Sequence, residues 1–319
     1  MMSDQDFKYV ELPDGRKIAY RELGMEAEKA KRSLLVLHGL GSSRLAAIPG
    51  VSEDLLKEFQ VRLIAIDRPG YGRSDHQLNQ TPQSIAMDLG SIADKLDLGE
   101  KIWLLGFSGG GSCCWAAARY IPHRIAGIAM WAPMGNYFWK GISEQERKAM
   151  LATLSVPRTF MSLPRIIPLP ILRLYVRFVI VPRAGHKWVK RCQTKLSPPD
   201  REHLQQSAAS DLMLRDNLES LTFNKGSGMA NDLKLCSSYW GFEVEEVAAV
   251  FKGPIHIWQG DDDSLIPLSM QQWIQRRIPN IVNLHVLPGE GHLSWFCFNP
   301  KGHRRVLVTL FNDSDSSGD

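Results

Sequence analysis

The chain has 319 residues, 44% apolar and 23% charged, enough for one large domain or a domain carrying a sizeable insertion. Its net charge of +4, from 38 basic and 34 acidic side chains scattered along the chain, is too small to argue for nucleic acid. Five cysteines (Cys113, Cys114, Cys192, Cys236 and Cys297), odd in number and without a C-x-x-C pair, read as thiols of a reduced, cytoplasmic chain with no zinc site; the opening MMSDQDFKYV lacks the apolar run of a secretory signal, and no uninterrupted apolar stretch reaches membrane-spanning length.

In chain order, FKYVELPDGRKIAYREL alternates around a Pro-Asp-Gly turn and predicts a hairpin. SLLVLHG (33–39) and VRLIAIDRPG (61–70) are buried strands. The stretch 81–99 predicts a helix, with Thr81 as cap, Pro82 in the first turn, Gly99 at the end and Ile85, Leu89, Ile92 and Leu96 on one face. KIWLLGFS (101–108) is a strand and GGSCCWAAARYI a helix; IAGIAMWAP (125–133), PIHIWQG (254–260) and IVNLHVLPG (281–289) complete the strands, with LSMQQWIQRRI and RRVLVTLF helical. Eight strands, mostly buried on both faces and alternating with helices, predict a doubly wound α/β architecture with a mostly parallel sheet. Residues 1–133 and 251–312 form the expected core. Residues 134–250, rich in Arg, Met and Pro-broken apolar runs, are a helical insertion after the sixth strand, placed as a cap because sites in such sheets lie at the strands' carboxyl ends. Residues 313–319 are an expected disordered acidic tail.

GFSGG (106–110) sits where a strand passes into a helix. That setting asks for a sharp turn presenting the hydroxyl of Ser108, with small residues at Gly106 and Gly110 to avoid clashes. A phosphate loop would need a lysine after the glycines, and HGLGSSR lacks the third glycine of a dinucleotide fingerprint. A serine at neutral pH needs a base. His256 and His285 lie inside strands and read as core residues; His76, His123, His186 and His203 read as surface residues. His292 ends VLPGEGH, just past the last strand, and is the expected base. The acid that would orient it comes from Asp261, Asp262 and Asp263, since WAPMGN after the earlier strand offers no carboxylate. The residues alone leave the three open.

With HGLG (38–41), DRPGYGRSD (67–75), GFSGG (106–110), GDDD (260–263) and GEGH (289–292) in this order, the chain resembles the α/β-hydrolase superfamily over nearly its whole length. The resemblance implies a Ser108, Asp263, His292 triad, with Asp262 in reserve, and an oxyanion hole from the amides of Leu40 and Gly109. It implies no metal or organic cofactor. His38 then braces its loop, and Asp67 and Arg68 fasten theirs. Epoxide hydrolases and dehalogenases of the superfamily carry aspartate where Ser108 stands, and proline iminopeptidases a tryptophan where Gly109 stands; both departures argue against those activities. The expected chemistry is acyl transfer on a small-molecule or lipid-like ester, without nucleic-acid partners. The competing reading is a non-catalytic small-molecule receptor on the same fold. RIIPLPILRLYVRFVIV (165–181) offers contact with a membrane surface, against which cap core with arginines reaching outward is the favoured reading.

Overall fold

A computed structural model describes residues 7–155 and 163–315. The Pro-Asp-Gly turn joins β1 (Lys8–Glu11) to β2 (Lys17–Gly24), antiparallel as expected. The remaining strands are β3 (Arg32–Leu37), β4 (Val61–Ile66), β5 (Ile102–Phe107), β6 (Ile125–Trp131), β7 (Ile255–Gly260) and β8 (Val282–Leu287). Their order across the sheet is β1-β2-β4-β3-β5-β6-β7-β8, and every pair from β4 to β8 is parallel. The chain steps from β3 outward to β4, then crosses back to β5. That reversal opens the crevice at the carboxyl ends of β3 and β5, where doubly wound sheets hold ligands.

Alternation within each strand splits the core in two. Leu35, Leu37, Leu104, Ile128 and Ile257 face α2 (Pro82–Lys95) and α3 (Gly111–Tyr120). Leu34, Val36, Leu105 and Ala129 face α1 (Glu53–Glu58), which the sequence reading did not anticipate, and the terminal helix. Each fully buried Leu or Ile contributes about 2 kcal/mol, so a one-residue slip of any central strand would be costly. Helix α2 is capped by Thr81 with Pro82 in its first turn; it ends at Lys95, short of Gly99, because Asp97 already takes a positive φ.

Between β6 and β7 run α4 (Glu144–Ala152), α5 (Leu169–Tyr175) continued by a π-helical turn (Val176–Ile180), α6 (His186–Lys195), α7 (Pro198–His203), α8 (Ser207–Thr222), α9 (Ser227–Cys236) and α10 (Val244–Val250). This stretch is not one layer. Its two ends join the main core: Trp139 stacks on Trp273 at 5.8 Å, and Val244 and Val247 pack in the same cluster. Its middle forms a third cluster, in which Leu172, Val176, Leu221 and Met229 close over Tyr71 and Leu40. Helix α11 (Leu268–Arg277) links β7 to β8, and α12 (Pro300–Asp315) ends the described chain. The tail expected over 313–319 is corrected at its start, where helical backbone continues to Asp315; residues 316–319 lie outside the described residues.

Candidate active site

Strand β5 delivers Ser108 into a turn with φ +50°, a left-handed backbone that non-glycine residues rarely adopt. Neighbouring glycines make room for it. A Cβ on Gly106 would stand 2.6 Å from the sulfur of Cys114, and one on Gly110 would run into the Leu37 carbonyl. A single 3₁₀ turn (Ser108–Gly110) leads into α3, and the Ser108 carbonyl accepts from the Met134 amide at 2.9 Å. Ser108 is half-buried, and its Cβ lies 3.2 Å from where a Cβ on Gly39 would be.

The loops after β7 and β8 bring Asp263 and His292 together: His292 Nδ1 lies 2.8 Å from Asp263 Oδ2. The other carboxylate oxygen, Oδ1, accepts from the Leu265 and Ile266 amides at 2.8 and 3.0 Å, and Gln259 Nε2 donates to Oδ2 at 2.9 Å. Asp261 and the reserve Asp262 are exposed; Asp261 instead fixes the neighbouring turn by accepting from the Gly289 amide at 2.7 Å. Burial opposes protonation of His292, and the Asp263 carboxylate with its hydrogen bond, helped by Asp200, outweighs that cost and raises the imidazole above its ordinary pKa. The His292 ring lies 5.2 Å from that of Phe107, the residue before Ser108.

Since β3 and β5 are neighbours, HGLG meets the serine turn. A Cβ on Gly109 would stand 3.1 Å from the Leu40 nitrogen, so the two amides border one small space. His38 is buried and serves as a brace: Nδ1 contacts the Gly39 carbonyl at 2.8 Å and Nε2 accepts from the Arg68 amide at 3.0 Å. Burial and the Arg68 charge hold it well below the usual imidazole value, hence neutral. Asp67 binds the Arg44 amide and guanidinium, fastening its loop as expected.

His256 is a core residue as expected, its Nδ1 3.3 Å from His285 Nε2. His203 departs from expectation. It is buried against Phe298, because α7 turns its inner face to the His292 loop.

Two carboxylates escaped the sequence reading. Asp200 on α7 accepts from the amides of His292 (2.8 Å), Leu293 (2.7 Å) and Ser294 (3.1 Å), and from Ser197 Oγ (3.1 Å). Gly291 has to be small there, since its Cβ would lie 2.5 Å from the Asp200 carboxyl carbon. Trp131 Nε1 donates to the His292 carbonyl at 2.7 Å, so backbone and ring of this histidine are held from three directions. Asp232 on α9 takes both terminal nitrogens of Arg68 (2.9 and 2.6 Å) and the Tyr71 hydroxyl (2.7 Å), while Arg68 Nε donates to the His38 carbonyl. The one available signal for Asp200 was Ser-Pro-Pro-Asp at a helix start, a capping-box pattern. It reads as local, yet the carboxylate serves a loop 92 residues away. Among the described residues no group of three His, Cys, Asp or Glu is placed to hold a metal ion.

A doubly wound sheet with a strained serine turn after β5, an aspartate after β7 and a histidine after β8 defines a hydrolase-type α/β protein. The sequence profile of the alpha/beta hydrolase fold matches residues 32–296, and the chain belongs to that family. It is 35% identical over 101 residues to a pimeloyl-[acyl-carrier protein] methyl ester esterase of Edwardsiella ictaluri, a match covering 31% of this chain and 35% of that protein. The chain spans less than half the length of the curated relatives it matches. Among solved structures it is similar to a bromoperoxidase from Bacillus anthracis (TM-score 0.65, 19% identity, 96% of this chain and 100% of that one). It is also similar to an esterase from Rhodococcus sp. (TM-score 0.60, 20% identity, 96% and 98%). At such identities the likeness is one of fold.

Proposed function

We propose that the chain is a serine hydrolase that cleaves a carboxylic ester of a small or lipid-like molecule through an acyl-enzyme. The observation that carries this reading is the buried His292–Asp263 pair, 2.8 Å apart, beside the strained turn of Ser108. With Nδ1 committed to Asp263, Nε2 is the nitrogen left to take the Ser108 proton. The hydroxyl oxygen attacks the ester carbonyl, and the resulting oxyanion accepts from the amides of Leu40 and Gly109. His292 returns the proton to the departing alkoxide. Water then repeats the sequence on the acyl-enzyme and releases the acid. The short match to a methyl ester esterase agrees with ester substrates.

The helices between β6 and β7 act as a cap in this reading. Support comes from their grip on the site's loops: Asp200 on the His292 loop, Asp232 on Arg68, and Asn217, which donates to the Gly41 carbonyl at 2.9 Å. A reducing compartment such as the cytoplasm suits a chain whose five cysteines stand as thiols.

A fluorophosphonate probe tests the proposal. Wild type is expected to label covalently and to turn over p-nitrophenyl esters, whereas Ser108→Ala loses labelling and about a million-fold in turnover. Folded wild type that neither labels nor turns over esters would favour a receptor on the same fold.

A further inference from the structure

Apart from Arg173 and Arg177, helix α5 and its π-helical turn are apolar on both the inner and the outer side, which is unusual for a surface helix. Leu172 and Val176 point inward and are buried in the third cluster. Ile171, Leu174, Tyr175 and Phe178 recur at i, i+3, i+4 and i+7, a pattern that normally marks a buried stripe. Here the stripe faces solvent, each of the four at least half exposed, and Ile166 just before it is 75% exposed. The favoured reading of this segment as cap core therefore holds for one side of the helix only.

The charge around the stripe is one-sided. From Arg147 to Pro199 the sequence holds eleven Lys and Arg and no Asp or Glu, in a chain whose net charge is only +4. Basic residues are not scattered after all. Arg165, Arg177, Arg183, Lys187 and Lys190 are exposed, and the carboxylates that neutralise Arg44 and Arg68 elsewhere are missing from this segment's own sequence. Two copies meeting through this face would bring like charges together, which disfavours a homodimer. Exposed aliphatic and aromatic side chains edged by arginines match the boundary of an anionic bilayer, where apolar groups enter the acyl region and cations meet the headgroups. No helix among the described residues is long and apolar enough to cross a membrane, so the contact would lie along the surface.

We propose that the exposed face of residues 163–190 docks on anionic lipid bilayers. The inference stands apart from the esterase reading, because it is read by binding and not by turnover. The full chain would be floated with vesicles of phosphatidylcholine alone and with about 30% phosphatidylserine added. Binding is expected to the anionic vesicles, weakening as salt rises. Replacing Arg165 and Arg177 by Gln should weaken it about 30-fold, from two cations lost at the surface. Replacing Ile171, Leu174 and Phe178 together by Gln should abolish it, with an unchanged melting temperature showing that the fold survives. Folded wild type that stays with buffer at low salt, or a triple variant that floats like wild type, would overturn the proposal. So would a wild-type dimer that the triple variant dissociates, since that would assign the face to a second copy.

Discussion

Ser108 pays for its position in backbone energy: a left-handed conformation costs a non-glycine residue about 1–2 kcal/mol. Ser108→Gly should therefore raise the melting temperature by about 2 °C while abolishing probe labelling, whereas Ser108→Ala should leave stability near wild type. A calorimetric comparison of the three proteins checks this. At His292 the pKa is raised in the folded protein, and the proposed mechanism needs this imidazole neutral. Turnover should then fall as pH drops through that raised value, with the acid limb of kcat/KM above about 6.5. Asp263→Asn should lower turnover about 10,000-fold and move the limb to lower pH, while Asp261→Asn and Asp262→Asn keep most activity. An Asp263→Asn enzyme of full activity would refute the assignment. Ser108 and His292 were legible because each sits at a strand end flanked by glycines. Asp263 was not separable from its two neighbours by chemistry, since all three are aspartates in one loop. Burial under His292 and the amides of Leu265 and Ile266 separates them, and these are tertiary facts.

Among the elements, α7 has an influence out of proportion to its six residues. Through Asp200 it satisfies three successive amides of the His292 loop. Asp200→Ala would leave buried donors without acceptors at about 1–3 kcal/mol each. It should also let the histidine drift, lowering turnover about 100-fold. The exposed Asp211→Ala on α8 is the matched control and should change neither. Stopped-flow turnover and thermal melts on both variants measure the two effects. The strands and the helices α2, α3 and α11 were readable because their apolar periods are strong and their ends carry Thr81, Pro82 and turn glycines. The insertion was readable only as helical. Apart from α8 its helices are short, several lie beside prolines, and α5 is apolar on both sides, so no period distinguishes inner from outer faces. Stripes such as Ile171 to Phe178 then mimic core.

At the scale of the molecule, core and insertion are joined by buried ionisable groups as well as by apolar contact. Asp216 on α8 accepts from the amide and hydroxyl of Ser43 at 2.8 and 2.6 Å, and burial pushes its carboxyl up to about 7 despite those bonds. In the unfolded chain it titrates near 4. The folded state thus loses stability as pH climbs from about 4 to 7, where the unfolded chain has already released that proton. Asp216→Asn, which keeps an acceptor for Ser43, should melt above wild type at pH 8, with the gap closing toward pH 4; equal melting at pH 8 would contradict this. The eight strands were visible in the sequence as apolar runs, but their order in the sheet was not. Periodicity shows which face a residue takes and never which strand lies beside it, and the crossing from β4 back over β3 to β5 is visible only in the folded sheet. The grip of Asp200 and Asp232 on the core has a practical corollary for anyone recombining these proteins. A β6–β7 insertion grafted from another hydrolase would arrive without the partners of the His292 loop and of Arg68. Such a chimaera would lose the hold on the His292 loop and on Arg68 however well its new helices packed, unless both aspartates travelled with it.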